Sequence, residues 1–220
     1  MRIYAQLSSS TELVDFNHQH KLVGALHKWL GPNSLHGDQS LYSFSSLTGG
    51  KNVGKGLSFG NGASLFFSFH DKDVAKQLVK GILNDPEFCY GMRVVDVAIE
   101  EAMPHADRSV FYPASPIFIK RDDEHHNKKH FTYLDDCSGE LMVETLRKKM
   151  EVAGLPYDET LSIKFDSNAV NPKTKLITYR GIKNKVNLCP VCVEAKDYTK
   201  EFIWNVGLGN STGIGFGAIK

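Results

Sequence analysis

Histidines near the first predicted helix are the side chains best suited to acid–base chemistry. His27 lies about 100° from the centre of that helix's apolar stripe, at its polar margin, and His20 falls on nearly the same side two turns earlier. His36 follows Gly31-Pro32-Asn33, and a short return of the chain would bring it near His27. An unperturbed histidine has a pKa near 6.5, so both its protonation states are accessible at neutral pH.

Two imidazoles in one site can cleave RNA without a metal ion. One takes the proton of a 2′-hydroxyl, whose oxygen attacks the adjacent phosphorus in line, and the other protonates the departing 5′-oxygen. Each such acid or base contributes ~10²–10⁴-fold to the rate. His27 and His36 are therefore the candidate catalytic pair. His130–Thr132 also matches the His-x-Thr element of two-histidine cyclic phosphodiesterases, but that family needs two copies and the sequence shows one.

Two stretches of the chain carry basic residues without acidic ones. No acid occurs between Asp38 and Asp71, or between Asp166 and Glu194. Phosphate neutralisation supplies much of the affinity for nucleic acids, so such stretches indicate a polyanion surface. A hairpin with its lysines on the solvated face is the alternative. The candidate RNA-binding cations are Lys51, Lys55, Lys173, Lys175, Arg180, Lys183 and Lys185.

The C-terminal segment 207–217 is rich in glycine. Consecutive free N–H groups of such a segment can cradle a phosphate. The segment does not open a βαβ unit and has no closing Gly-Lys-Ser/Thr, which argues against a dinucleotide fingerprint and a Walker loop. A flexible tail is the alternative, but Ile214, Phe216 and Ile219 suggest packing. The candidate RNA-binding glycines are Gly207, Gly209, Gly213, Gly215 and Gly217.

The elements that position these residues form two similar halves. Apolar periodicity in the first half predicts the order β-α-β-β-α-β, which is the ferredoxin-like pattern. The second half is a looser copy, with a charged loop over 120–130, a hairpin of 175–185 with 187–193, and a strand over 201–206. The predicted fold class is α+β, with tandem duplicated ferredoxin-like domains at 1–103 and 104–220.

Composition narrows the class of protein. With 26 Lys+Arg against 25 Asp+Glu, the chain is near neutral and has ordinary globular composition. Its N-terminal residues lack the apolar core of a signal peptide, and no apolar run reaches membrane-spanning length, so we expect a cytoplasmic protein with no membrane contact. The pair Cys189 and Cys192 leaves a zinc or redox role as a remote alternative, with His125, His126 and His130 as the further ligands it would need.

Six motifs are spread along the chain: Asn17–His20 (NHQH), Leu35-His36, Leu41–Ser45 (LYSFS), Lys55–Leu57 (KGL), Ser115–Arg121 (SPIFIKR) and Val206–Gly217 (VGLGNSTGIGFG). Together they resemble the CRISPR-associated repeat-processing endoribonucleases, the Cas-six family. The resemblance implies two ferredoxin-like, RRM-related domains and metal-independent cleavage of precursor CRISPR RNA within each repeat, leaving a 2′,3′-cyclic phosphate and a 5′-hydroxyl. The implied partner is repeat RNA, no cofactor is needed, and effector-complex subunits or a homodimer are further options.

The resemblance also implies roles for single residues. His36 matches the family's catalytic histidine, and His27 falls where some members have a tyrosine and others a second histidine. Members with a catalytic lysine place it where this chain has Ser40, so the group that stabilises the transition-state charge is unassigned. The glycine-rich segment corresponds to the family's RNA-contacting loop. A noncatalytic repeat-RNA-binding subunit of a CRISPR effector complex is the alternative function.

Overall fold

The computed structural model describes residues 1–32, 39–104, 107–125 and 127–220. In the first half, a four-stranded antiparallel sheet has the order β2-β5-β1-β6. Two helices cross between its strands, and a short hairpin of β3 with β4 fills the connection from β2 to β5. The elements are β1 Arg2–Leu7, α1 Gln19–Leu30, β2 Tyr42–Phe44, β3 Lys51–Asn52, β4 Leu57–Ser58, β5 Ala63–Phe69, α2 Lys72–Asn84 and β6 Val94–Glu100.

The second half repeats this arrangement around the sheet β10-β13-β7. The last residues of the chain occupy the fourth strand position of this sheet. The Tyr112 N–H donates to the Lys220 carbonyl (2.9 Å), and the Lys220 N–H donates to the Tyr112 carbonyl (2.8 Å). Both halves therefore place their second, third, first and last strands in that order, which confirms the tandem ferredoxin-like prediction. The elements are β7 Val110–Phe111, β8 Ile119–Asp122, β9 Lys128–Phe131, α3 Ser138–Val152, β10 Ser162–Phe165, β11 Lys173–Tyr179, β12 Ile182–Leu188, β13 Val191–Glu194 and α4 Asp197–Val206.

The predicted strand over 201–206 is wrong, because these residues belong to α4. All residues from Phe202 to Val206 are buried, so the segment shows neither the alternation of a half-buried strand nor the stripe of an amphipathic helix. Such a continuous buried run does not distinguish helix from strand. As a helix, the segment supplies the second helix that the ferredoxin-like pattern requires.

Two further predictions for the second half need correction: the charged loop contains a hairpin, and the basic hairpin has other boundaries. The charged loop over 120–130 is largely the hairpin of β8 and β9. The basic hairpin pairs β11 with β12 and turns at Arg180-Gly181, where φ is +47° and +82°. Two consecutive positive φ angles are typical of the type I′ turn that matches the twist of a two-residue hairpin. The sequence reading placed this turn too late in the chain.

Arg2 joins the two halves of the molecule. Its buried guanidinium donates to the Ser68 hydroxyl (2.6 Å) and to the carbonyls of Trp204 (2.7 Å) and Ile219 (2.9 Å). It lies 3.9 Å and 4.0 Å from the ring centroids of Phe66 and Trp204. One side chain of β1 thus binds both the end of α4 and the last strand of the second half. The boundary at residue 103 stays a prediction.

Over the described part of the chain, none of the helices has the length and apolar character needed to cross a bilayer.

Candidate functional site

The glycine-rich segment folds back on the protein as a closed loop. The Leu208 N–H donates to the Gly217 carbonyl (2.8 Å), and the Gly217 N–H donates to the Pro116 carbonyl (2.9 Å). Between these ends, the Asn210 N–H donates to the Phe118 carbonyl (2.7 Å). Phe216 is buried, as the packing argument from sequence expected. The loop is therefore a fixed element of the second half, and Asn210, Ser211 and Ile214 are its partly exposed positions.

The loop's own packing requires some of its glycines. A Cβ at Gly217, where φ is +69°, would lie 1.9 Å from the Leu208 carbonyl oxygen, and one at Gly209 would lie 2.4 Å from that of Phe118. These glycines allow close approach to protein backbone. All five glycines of the segment are buried, and their contact with RNA stays a prediction.

We expect Gly217→Ala to lower the free energy of unfolding by about 2–3 kcal/mol, from the left-handed backbone and the overlap with Leu208. Urea denaturation measures this change. Gly60→Ala is the matched control, because a Cβ there meets nothing within 4 Å. A change in the Gly217 variant no larger than in the control would contradict the packing role.

The first half holds the loop from two sides. The Tyr42 hydroxyl donates to the Gly213 carbonyl (3.2 Å), and the Gln19 side-chain amide of α1 donates to the Ile214 carbonyl (2.6 Å). Ser40 also touches the loop, since a Cβ at Gly213 would lie 2.3 Å from its hydroxyl oxygen. The candidate site is therefore built where α1, the start of β2 and the loop meet.

The structure places one member of the candidate catalytic pair. His27 lies half-buried on α1, eight residues after Gln19, which is about 12 Å along the helix axis. His36 lies outside the described residues. Gln39, the first described residue after it, lines a cleft beside the glycine-rich loop.

This first cleft has a volume of about 300 Å³ and lies between the loop, α3 and β8. Lys149 of α3 lies beside it, buried, and its Nζ donates to the Thr212 hydroxyl (2.8 Å) and the Val206 carbonyl (3.2 Å). Burial lowers the pKa of Lys149 to about 7. Sequence reasoning missed this residue, although a lysine three positions after Leu146 falls within the apolar stripe of α3. Residues lining the cleft are Gln39, Ser40, Lys120, Thr145, Lys149, Gly209, Asn210, Ser211, Thr212, Gly213 and Ile214.

A second cleft, of about 570 Å³, runs between the start of α1 and the hairpin of β11 and β12. His18 and Lys175 both line it, and burial, then the charge of Lys175, lowers the pKa of His18. Phe16, which is 51% exposed, lies at its edge with Leu176. A cation beside exposed aromatic and apolar surface suits single-stranded nucleic acid, whose bases stack and whose phosphates need neutralising.

The five cations of the basic hairpin do not share one face. In the β11–β12 register, Lys175 pairs with the buried Val186, so Lys173 and Lys175 project from the side that packs on the protein. Lys183 and Lys185 project from the opposite side. Arg180 lies at the turn. The hairpin thus offers two separate basic surfaces.

Lys51 and Lys55 are exposed near the hairpin of β3 and β4. Leu57 of the same hairpin lines the second cleft. Neither lysine lines the first cleft. Neither lysine lines the second cleft either, and their contact with RNA stays a prediction.

The remaining candidate residues are His130 and the two cysteines. His130 Nδ1 accepts the Lys185 backbone N–H (3.2 Å), which links β9 to β12. Burial raises the pKa of Cys189 to about 11 and also raises that of Cys192, so both thiols stay protonated at neutral pH. Within the described ranges, no three His, Cys, Asp or Glu residues cluster as metal ligands would. The protonated thiols argue against a redox role for this pair, and His126, one of the further zinc ligands considered, lies outside the described residues.

Comparisons with known proteins agree with this architecture. The family model "CRISPR associated protein Cas6, C-terminal" matches residues 100–220. A solved structure described as "CRISPR associated protein Cas6" has a TM-score of 0.82 at 19% identity, and that of a Cas6-related gene from Pyrococcus furiosus has 0.84 at 22%. A third, described as a RAMP protein binding different RNA substrates, has 0.85 at 20%. Each comparison covers 100% of this chain and 97–98% of the other. The search of curated proteins gave no match.

Proposed function

Because the chain belongs to the Cas6 family of CRISPR associated proteins, we propose that it is an endoribonuclease that cleaves precursor CRISPR RNA within its repeats. The observation that carries the proposal is the glycine-rich loop fixed against α1 and β2, beside a cationic cleft. The RAMP protein that shares the fold is described as binding different RNA substrates, which supports RNA as the ligand.

The proposed reaction is an in-line transesterification by the histidine pair. His27, as general base, takes the proton of the 2′-hydroxyl, and the freed oxygen attacks the neighbouring phosphorus. The bond from phosphorus to the 5′-oxygen breaks, and His36, as general acid, protonates that oxygen. The products are a 2′,3′-cyclic phosphate and a 5′-hydroxyl, and the two roles can be exchanged. His27 lies half-buried on the helix whose Gln19 holds the loop, about 12 Å along the axis from Gln19, and its part in the reaction rests on the family resemblance.

The RNA would lie along the basic surfaces around this site. Lys175 in the second cleft would neutralise a phosphate of one flank, and the exposed Lys51 and Lys55 near the hairpin of β3 and β4 would neutralise others. Lys183 and Lys185, on the other face of the hairpin, would serve a different part of the repeat. Phosphate contacts of this kind give affinity and register, and a few base contacts give sequence preference.

The test is cleavage of a repeat RNA in excess EDTA, with and without a 2′-deoxy substitution at the cut site. We expect full activity in EDTA, because the proposed acid and base are side chains, and no cleavage of the deoxy substrate, because it lacks the nucleophile. Cleavage that requires magnesium, or that survives the deoxy substitution, would exclude this mechanism. Binding without any cleavage would instead identify a noncatalytic subunit.

A further inference from the structure

Lys149 is a buried cation whose hydrogen-bond partners are both neutral. The residue is 3% exposed, and its Nζ contacts one hydroxyl and one carbonyl. None of the ion pairs among the described residues includes it. An ammonium has three donors and is unfavourable in the interior without a counter-charge. Holding the loop would need only a neutral donor, so the charge itself calls for an explanation.

The cleft beside Lys149 has the character of an anion site. Its charged lining residues in the described part of the chain are Lys120 and Lys149, and no acid lines it there. Hydroxyl groups of Ser40 and Ser211 add neutral donors, whereas the Thr145 hydroxyl already donates to the Leu141 carbonyl (2.9 Å). The volume of about 300 Å³ accommodates a phosphodiester group with water around it.

The lowered pKa of Lys149 is consistent with an anion site. Burial lowers its pKa to about 7, so the charged and neutral forms are about equally populated at pH 7 in the free protein. A phosphate in the cleft would favour the charged form and raise the pKa again.

We propose that the first cleft binds a phosphate of the RNA backbone and that Lys149 is its buried cation, with Lys120 as the second. Because Lys149 also holds Thr212, the phosphate would bind where α3 and the glycine-rich loop meet, and its binding would stabilise the loop. The identity of the ligand as RNA rests on the proposed function. The anion site itself can be tested without RNA.

The first experiment measures the thermal unfolding midpoint in inorganic phosphate against chloride at equal ionic strength. A ligand that binds only the folded state raises the midpoint as its concentration rises. Exclusion of phosphate from protein surfaces stabilises every variant alike, so we expect the midpoint to rise more in the wild type and in Lys80→Met, which removes an exposed lysine of α2, than in Lys149→Met. Absence of a rise in the wild type, or an equal rise in Lys149→Met, would overturn the site.

The second experiment measures the affinity of a repeat RNA with a 2′-deoxy cut site at several salt concentrations. Each phosphate contact with single-stranded RNA contributes about 0.7 to the slope of log affinity against log salt. We expect Lys149→Met to lose about that much slope and Lys80→Met to lose none. An unchanged slope in Lys149→Met would refute RNA as the ligand. If the wild type cleaves no RNA yet responds to phosphate, the proposed function fails and the anion site stands.

We expect the Lys149→Met variant to fold. Methionine is similar in length to the apolar stem of lysine, and removing a buried charge relieves its desolvation. We expect Lys149→Met to keep the wild-type far-ultraviolet circular dichroism. If it does not fold, Lys120→Met provides the same two measurements, with a reduced phosphate response expected and an unchanged one contradicting the proposal.

Discussion

We expect His36→Ala and His27→Ala each to lower the single-turnover rate of repeat RNA cleavage by ~10²–10⁴-fold, the contribution of one positioned acid or base. The loss arises in the chemical step, because the 2′-oxygen remains protonated or the 5′-oxygen leaves without a proton. Affinity for the 2′-deoxy substrate should stay within about threefold of the wild type, since neither imidazole neutralises a phosphate in the proposed mechanism.

His125→Ala is the matched control for this measurement. His125 is an exposed histidine of the loop between β8 and β9 and lines neither cleft, so its replacement should leave the rate unchanged. If both candidate variants cleave as fast as this control, the histidine pair is wrong. If one alone is slow, the other role belongs to a different group, and Lys149 is then the first side chain to test because it lies beside the same loop.

The first half of the fold was predictable because its helices carry clear stripes. Leu22, Leu26 and Trp29 of α1 all face the core, as their spacing indicated. Asp71 caps α2 by accepting the N–H groups of Asp73 and Val74. Local sequence and tertiary burial agree in these elements, so periodicity alone identifies them.

The second half was harder because burial there is more complete and turn chemistry is less obvious. The continuous buried run that ends α4 hides its helical period. Arg180 at a positive φ angle precedes the single glycine of its turn, where asparagine or aspartate would have marked it. In both cases the deciding information is tertiary, and it is absent from any short window of sequence.

The candidate site was predictable in its parts and not in their arrangement. Glycine spacing identified the loop, but a glycine that admits a ligand and one that admits a neighbouring carbonyl look the same in sequence, as Gly217 shows. A lysine within an apolar stripe looks like an interruption, so Lys149 gave no signal of a buried charge beside a cleft. The separation of Lys175 from Lys183 depends on the pairing register, which follows from the position of the turn.

We expect Arg2→Ala to lower the free energy of unfolding by about 3–5 kcal/mol, because the change leaves two buried carbonyls and a hydroxyl without their donor. The stacking of the guanidinium between Phe66 and Trp204 is lost at the same time. Urea denaturation followed by tryptophan fluorescence is a direct measurement, since Trp204 contacts the arginine. Arg93→Ala, which removes an exposed arginine, should change stability by no more than about 0.5 kcal/mol.

The effect of Arg2 should extend to the glycine-rich loop. Its two carbonyl partners, Trp204 and Ile219, lie just before and just after that loop, so the arginine fixes both of its ends against β1. The free energy of unfolding of Arg2→Lys should lie between those of Arg2→Ala and the wild type. An ammonium can donate to the two carbonyls, but it lacks the planar guanidinium that also reaches Ser68 through Nε and stacks on two rings. If Arg2→Lys has the free energy of unfolding of the wild type, the positive charge alone explains the contribution of Arg2 to stability. If Arg2→Ala unfolds at the same urea concentration as Arg93→Ala, the connection between the halves does not depend on this side chain.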